Sequence, residues 1–165
     1  MMNWMRTFLL PLLTITILFI SCSNEPQTDT ADGPKTEPVF PIGQEISSDN
    51  FTGTAWLNMI AENDANLNTH IGNVTFAPGA RTNWHSHPGG QILLATDGTG
   101  YYQEKGSSIQ ILQKGDVIQC PPNVEHWHGA SPDSKFTHIA IGPNLDEGGV
   151  VWLNPVTEED YNSID

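Results

Sequence analysis

Histidines concentrate in two short stretches of this sequence, where they could bind a metal ion. His85 and His87 stand two positions apart in NWHSHPGGQILL, and the alternation of a β-strand would place both side chains on one face. Gln91 follows a Pro-Gly-Gly turn, and His126 lies further along in PPNVEHWHG. Imidazole is the commonest side-chain ligand of divalent first-row metals. The histidines alone leave two interpretations open, a metal site and an exposed polar strand.

The elements that would position these residues are predicted to be short strands. From about residue 41 the chain alternates apolar segments with turns rich in Gly, Pro, Asn and Asp. The predicted strands are 54–60, 70–77, 83–87, 91–96, 99–104, 107–112, 116–120, 125–128 and 135–142. Near the C-terminus, TEEDYNSI predicts a short helix with Thr157 as its N-cap. Many short, evenly spaced strands indicate an all-β sandwich or barrel.

The spacing around the first histidine pair is specific. Five residues separate Gly79 from His85, one separates His85 from His87, three separate His87 from Gln91, and six separate Gln91 from Gly98. This order matches the first motif of the cupins at every step except the fourth ligand. That ligand is usually glutamate, and here it is the neutral Gln91.

A second stretch matches the second cupin motif. Five residues separate Gly115 from Pro121, and His126 follows at the expected distance. Asn123 and Ala130 depart from the glycine and asparagine usual there, and we interpret both as turn and framework variation. The sequence therefore resembles the cupins, a family of jelly-roll barrels, and the resemblance implies an all-β fold of that type with a short C-terminal helical segment.

Three longer segments indicate which group of cupins the sequence resembles. VTFAPGARTNWHSHPGGQILL, GDVIQCPPNVEHWHGASP and FTHIAIG are similar to small single-domain bacterial cupins that include the manganese-dependent (R)-selective hydroxynitrile lyases. The resemblance covers about residues 41–155. It implies one divalent ion held by His85, His87, Gln91 and His126. Manganese is the expected metal, with iron, nickel and zinc as alternatives.

The same resemblance points to residues that handle protons. It makes His138 the expected general base, since the alternation of FTHIA can turn this side chain inward, and the alternative is a structural hydrogen bond in the barrel. His128, two residues beyond His126, is the second candidate. Thr82 matches a pocket threonine that could bind a substrate oxygen or simply lie in a turn. His70 lies far from both motifs and is predicted to be a surface residue.

The neutral Gln91 favours particular chemistry. Three imidazoles and an amide would leave a divalent ion its full +2 charge, which favours a Lewis-acid lyase or isomerase acting on a small carbonyl or hydroxy compound. Hydroxynitrile cleavage is the activity that the resemblance implies. The alternatives are a cupin acting on unsaturated uronates or other sugars, a metal-dependent dioxygenase, and a non-catalytic ligand-binding cupin. The sequence favours an enzyme over the non-catalytic alternative.

The N-terminus predicts export and lipidation. Residues 9–20 are apolar and uncharged, and the run ends just before Cys22, as in the cleavage box of bacterial lipoproteins. We therefore expect a signal peptide over 1–21, a disordered tether over 22–40 and a cupin domain over 41–165. Acylated Cys22 would anchor the protein in the cell envelope, in the periplasm or at the outer membrane of a Gram-negative bacterium, without spanning the membrane.

Charge and cysteine content limit the other partners. Six Lys and Arg against 19 Asp and Glu give a net charge of −13, which repels nucleic acid. The second cysteine, Cys120, would have no partner once Cys22 is acylated, so no disulfide is expected and Cys120 is predicted to be a small buried residue. The expected partners are a small-molecule substrate, the membrane through the lipid anchor, and a second copy of the chain in a homodimer.

Overall fold

The computed structural model describes residues 37–62 and 66–164, and Glu37–Asp165 form one compact unit. The predicted signal peptide over 1–21, Cys22 and most of the predicted tether over 22–40 lie outside the described residues. The strands of the described part are β1 (Gln44–Glu45), β2 (Phe51–Thr52), β3 (Ala55–Ala61), β4 (Thr69–Phe76), β5 (Arg81–Thr82), β6 (His85–Ser86), β7 (Gln91–Glu104), β8 (Gln110–Gln113), β9 (Val117–Cys120), β10 (His126–Ala130), β11 (Phe136–Pro143) and β12 (Val151–Trp152). No helix in 37–62 or 66–164 is long and apolar enough to cross a membrane.

The strands form an antiparallel sheet that curls into a half-barrel. Its main path runs β1-β3-β4-β11-β7-β10-β5-β2, while β8 and β9 pair with β7, and β6 pairs with both β10 and β12. A 3₁₀ turn at Leu145–Glu147 and a short helix, α1 (Glu158–Tyr161), complete the described elements. The predicted all-β jelly-roll architecture is confirmed, including its short C-terminal helix.

The long strand β7 corrects one prediction. Residues 91–96 and 99–104 were expected to be two strands separated by a DGTG turn, but they form one strand of 14 residues. Its first half pairs with β9 and β11 and its second half with β8 and β10, so the strand bends from one face of the barrel to the other. Gly98 makes the bend with a φ of 74°, and a Cβ there would lie 1.8 Å from the carbonyl oxygen of Lys135.

The predicted strand over 83–87 is also corrected, because the structure divides this region into β5 and β6. Between them the backbone N–H of Asn83 donates to the Asn50 carbonyl at 2.8 Å, and that of Trp84 donates to the Asn154 carbonyl at 3.1 Å. These bonds to loops interrupt the ladder for two residues. The helix prediction is confirmed at its start, since the Thr157 hydroxyl accepts from the backbone N–H of Asp160 at 3.0 Å.

Two apolar clusters stabilise the barrel on either side of β10. The inner cluster includes Phe76, Phe136 and Tyr102, each no more than 1% exposed. The outer cluster joins Trp127 to Tyr161 of α1, whose hydroxyl donates to the Ala130 carbonyl at 2.7 Å. Successive β10 side chains point to opposite faces, so the histidines on either side of Trp127 face the barrel interior.

Candidate metal centre

Short strands and one turn bring the four predicted ligands together. His126 of β10 pairs directly with His85 of β6, and their ring centroids lie 4.2 Å apart. His87 follows β6, with its ring centroid 5.2 Å from that of His85 and 5.7 Å from that of His126. Gln91 begins β7, and its Oε1 lies 3.0 Å from His126 Nε2. His85, His126 and Gln91 thus meet inside the barrel, and the ring of His87 lies beside them.

Two backbone carbonyls orient the paired histidines. His85 Nδ1 donates to the Asn83 carbonyl at 2.9 Å, and His126 Nδ1 donates to the Val124 carbonyl at the same distance. The Cys120 sulfur lies 3.1 Å from the same nitrogen of His126. A neutral imidazole that donates through Nδ1 carries a lone pair on Nε2. Both rings therefore turn an unprotonated Nε2 toward the interior, which is the orientation metal-binding histidines need.

The contact between His126 and Gln91 fits a bound cation. With Nδ1 donating, Nε2 is an acceptor, and the amide oxygen 3.0 Å away is an acceptor as well, so a cation near both would satisfy the pair. Neighbouring ligands bound at about 2.0–2.2 Å to one ion lie roughly 3 Å apart. His87 Nε2 is also buried, and it has no hydrogen-bond partner among the described residues. Imidazole nitrogens and an amide oxygen are the kinds of atom that bind divalent first-row metal ions, so the chemistry of this cluster suits one.

Burial keeps these histidines neutral. Desolvation, followed by the charge of His126, lowers the pKa of His85 well below its ordinary value. The same two causes lower the pKa of His87 to about 4. Desolvation also lowers the pKa of His126. All three rings therefore have lone pairs available at neutral pH, as metal binding requires.

Three buried histidines offer an overlapping metal group. Candidate ligand atoms of His85, His126 and His128 lie within 4.8 Å of one another, so these three side chains could bind a metal. His85 and His126 belong to both groups, and the choice lies between His128 on one side and His87 with Gln91 on the other. His128 Nδ1 is buried and has no hydrogen-bond partner within residues 37–62 and 66–164, so no such bond orients this ring as the carbonyls orient His85 and His126.

The three predicted proton-handling residues lie at different distances from the proposed ligands. The ring centroid of His128 is 5.3 Å from that of His85, and His138 lies behind it with its centroid 4.9 Å further on. His138 is fully buried beside the rings of Phe76 and Phe136, and neither of its nitrogens has a hydrogen-bond partner in the described part of the chain. Desolvation lowers its pKa to about 3.

Thr82 is held by the backbone of its neighbour. Its hydroxyl donates to the His128 carbonyl and accepts from the His128 N–H, both at 3.2 Å. The single hydroxyl proton is therefore already used. Toward a substrate, the Thr82 oxygen can act only as an acceptor unless its bond to the carbonyl breaks.

A cavity of about 270 Å³ opens onto the proposed metal ligands. His85, His87 and Gln91 line it, as do Thr82 and His128, while His138 is not part of its wall. The remaining wall is mostly apolar and includes Phe51, Leu57, Met59, Val74, Val150 and Trp152. An apolar cavity with a few convergent polar groups suits a small organic substrate.

His70 corrects a prediction about the site. It was expected on the surface, but it is half-buried and lines the same cavity. The sequence carried a signal for this position, since His70, Gly72 and Val74 alternate along β4 and all three face the cavity. Cys120 agrees with its prediction, because it is a free cysteine and only 4% exposed.

The barrel and its histidine centre define a cupin. The model of the cupin domain matches residues 72–141. The chain belongs to the cupin family.

Individual relatives agree with this assignment. The chain is 41% identical over 124 residues to an (R)-mandelonitrile lyase of Granulicella tundricola. The match covers 73% of this chain and 95% of the relative. It is 52% identical to a cupin-like protein from Thermotoga maritima of known crystal structure, with a TM-score of 0.73 over 76% of this chain and 95% of the other. A DMSP lyase from Ruegeria pomeroyi shares the fold, with a TM-score of 0.56 at 17% identity. The match covers 71% of this chain and 64% of that one.

Proposed function

We propose that this cupin is a manganese-dependent lyase that cleaves small hydroxynitriles into an aldehyde and hydrogen cyanide. The observation that carries the proposal is the 3.0 Å contact between His126 Nε2 and the amide oxygen of Gln91. A neutral amide at this position would leave a bound ion its full charge, whereas a carboxylate would reduce that charge. The 41% identity to an (R)-mandelonitrile lyase supports the same reaction. His85, His87, Gln91 and His126 are the proposed ligands.

The reaction can be assigned to the residues around the cavity. When bound, the divalent ion would supply Lewis-acid activation of the substrate oxygen. The apolar wall holds the organic substituent and excludes water. His128, kept neutral because desolvation lowers its pKa, takes the hydroxyl proton. The electron pair left on the oxygen forms the aldehyde carbonyl as the bond to the nitrile carbon breaks, the electron pair of that bond leaves with cyanide, and His128 returns the proton to cyanide.

The sugar alternative has less support in this cavity. A uronate carries a carboxylate, and arginine is the usual side chain that binds one. Arg81 is buried and bound to Glu158 at 2.6 Å, with its guanidinium 4.5 Å from the centre of the Tyr161 ring. It does not line the cavity. The residues around the proposed metal ligands thus favour a neutral substrate over one that carries a carboxylate.

A substrate panel tests the proposal. Manganese-loaded protein is mixed with (R)- and (S)-mandelonitrile, unsaturated uronates and lactones, while oxygen consumption is recorded. We expect benzaldehyde to form from mandelonitrile, with the (R) form preferred, and no oxygen uptake. Turnover of uronates alone would support the sugar alternative, and oxygen uptake would support a dioxygenase. Binding without turnover of any compound would support a ligand-binding cupin.

We also propose that the protein is a lipoprotein of the cell envelope. The support is the apolar run that ends before Cys22 and the polar sequence that follows it. Cys22→Ala should release the protein from membranes or block its processing, because the acylated residue is gone. Fractionation and N-terminal analysis of both forms check this. Wild-type protein in the soluble fraction with Met1 intact would contradict it.

A further inference from the structure

One end of the cavity carries a histidine that neither the proposed ligands nor the proposed proton transfer uses. His70 lines the wall from β4, on the same face as Gly72 and Val74. Val74 pairs with His138, whose ring contacts His128. His70 is four residues away along β4, roughly 13 Å at the rise of an extended strand. It therefore marks the end of the cavity opposite the proton-handling residues.

The neighbouring strand leaves room for this ring. Gly142 of β11 pairs directly with His70, and a Cβ on Gly142 would lie 2.4 Å from His70 Nε2. Two further ring atoms of His70 would lie within 3.0 Å of that Cβ. Gly142 does not have a positive φ, so its backbone conformation does not require glycine. The absence of a side chain at Gly142 instead determines where the imidazole of His70 lies.

His70 is also close to the proposed ligands and has a free donor. His70 and His87 line the same cavity. Among residues 37–62 and 66–164, no hydrogen bond to the His70 ring is formed. His70 and His128 thus border the ligand cluster from two sides.

The remaining wall has few groups that could bind a second polar atom of a substrate. Leu57, Val74 and Ala140 are apolar, and the Thr82 hydroxyl proton is already bound to a carbonyl. His128 is assigned to the substrate hydroxyl. An imidazole N–H on His70 is then the donor left for a polar group that points away from His128.

We propose that His70 recognises the nitrile of the substrate by donating a hydrogen bond to its nitrogen. The inference rests on the proposed hydroxynitrile cleavage and deepens it, because it assigns the second polar group of the substrate to a residue. A hydroxynitrile has a hydroxyl for the ligand cluster and His128, and a linear nitrile whose terminal nitrogen accepts one hydrogen bond. Gly142 acts as a positioning residue, since it keeps the space that the His70 ring occupies.

Two probes separate nitrile recognition from general binding. Phenylacetonitrile has the nitrile without the hydroxyl, and benzyl alcohol has the hydroxyl without the nitrile. Calorimetry on manganese-loaded protein should show phenylacetonitrile binding about 3- to 10-fold more weakly to His70→Phe than to wild type, the effect of one neutral hydrogen bond. Benzyl alcohol should bind both within about twofold.

Matched variants exclude a purely steric effect. His70→Gln keeps a donor and should recover part of the phenylacetonitrile affinity, whereas Gly142→Ala keeps His70 but displaces its ring and should weaken binding as His70→Phe does. Metal content should equal that of wild type in all three. With (R)-mandelonitrile, His70→Phe should raise KM more than it lowers kcat.

The outcomes distinguish the two proposals. A wild-type protein that leaves mandelonitrile intact contradicts the proposed function, while the phenylacetonitrile comparison still decides whether His70 binds nitriles. A wild type that cleaves mandelonitrile, beside a His70→Phe variant with unchanged phenylacetonitrile affinity, overturns only the role of His70. Equal weakening of both probes would show that the substitution damages the cavity in general and would also overturn it.

Discussion

Replacing His87 with alanine should give a folded barrel that binds its divalent ion at least about tenfold more weakly, because even the loss of a residue behind a metal ligand costs that much. The Nε2 of His87 is buried and has no hydrogen-bond partner among the described residues, so this nitrogen is available to bind a metal ion. The fold should survive, since the inner core around Phe76 and Phe136 does not include His87. Metal analysis after dialysis against manganese, with circular dichroism of the same samples, checks both statements.

His128→Ala is the matched control for this experiment. It should keep about one ion per chain, because the proposed ligands are intact. The reverse pattern, with metal lost from His128→Ala and kept by His87→Ala, would assign the ion to His85, His126 and His128 instead. The two variants therefore separate the overlapping ligand groups directly.

The second large effect is expected on turnover. His128→Ala should lower kcat on (R)-mandelonitrile by roughly 10²- to 10⁴-fold at full metal content, the usual contribution of a general base. The reason is position, since His128 lines the cavity beside Thr82. The measurement is a steady-state rate normalised to bound metal. Wild-type turnover by His128→Ala would exclude this residue as the base.

His138→Ala gives the comparison. The sequence makes His138 the first candidate, but the structure places it behind His128 and outside the cavity wall. We therefore expect a smaller loss of kcat for His138→Ala than for His128→Ala, through the ring that His138 supports. A larger loss for His138→Ala would restore the assignment expected from the sequence.

The closeness of the proposed ligands could be predicted from the sequence because most of their spacing is local. His85, His87 and Gln91 lie within seven positions, and one short strand and one turn determine how they face each other. His126 is 35 residues beyond Gln91, and only its match to a family motif connected it to the others. The direct pairing of His126 with His85 is a property of strand register, which no local pattern states.

Other features depended on tertiary contacts. Gly98 is typical of a turn, yet the long strand continues through it because each half finds different partner strands. His70 stood outside both motifs, and its place in the cavity follows from the pairing of β4 with β11. The order of His128 and His138 follows from packing depth, since alternation can turn both side chains inward but cannot say which one is nearer the cavity.

The most direct test is the rate of benzaldehyde release from (R)-mandelonitrile by protein stripped of metal with a chelator and then titrated with manganese. We expect almost no release from stripped protein and a rise that saturates at about one manganese per chain. Release that is equally fast without metal, or absent at every manganese loading, would contradict a metal-dependent hydroxynitrile lyase built on His85, His87, Gln91 and His126.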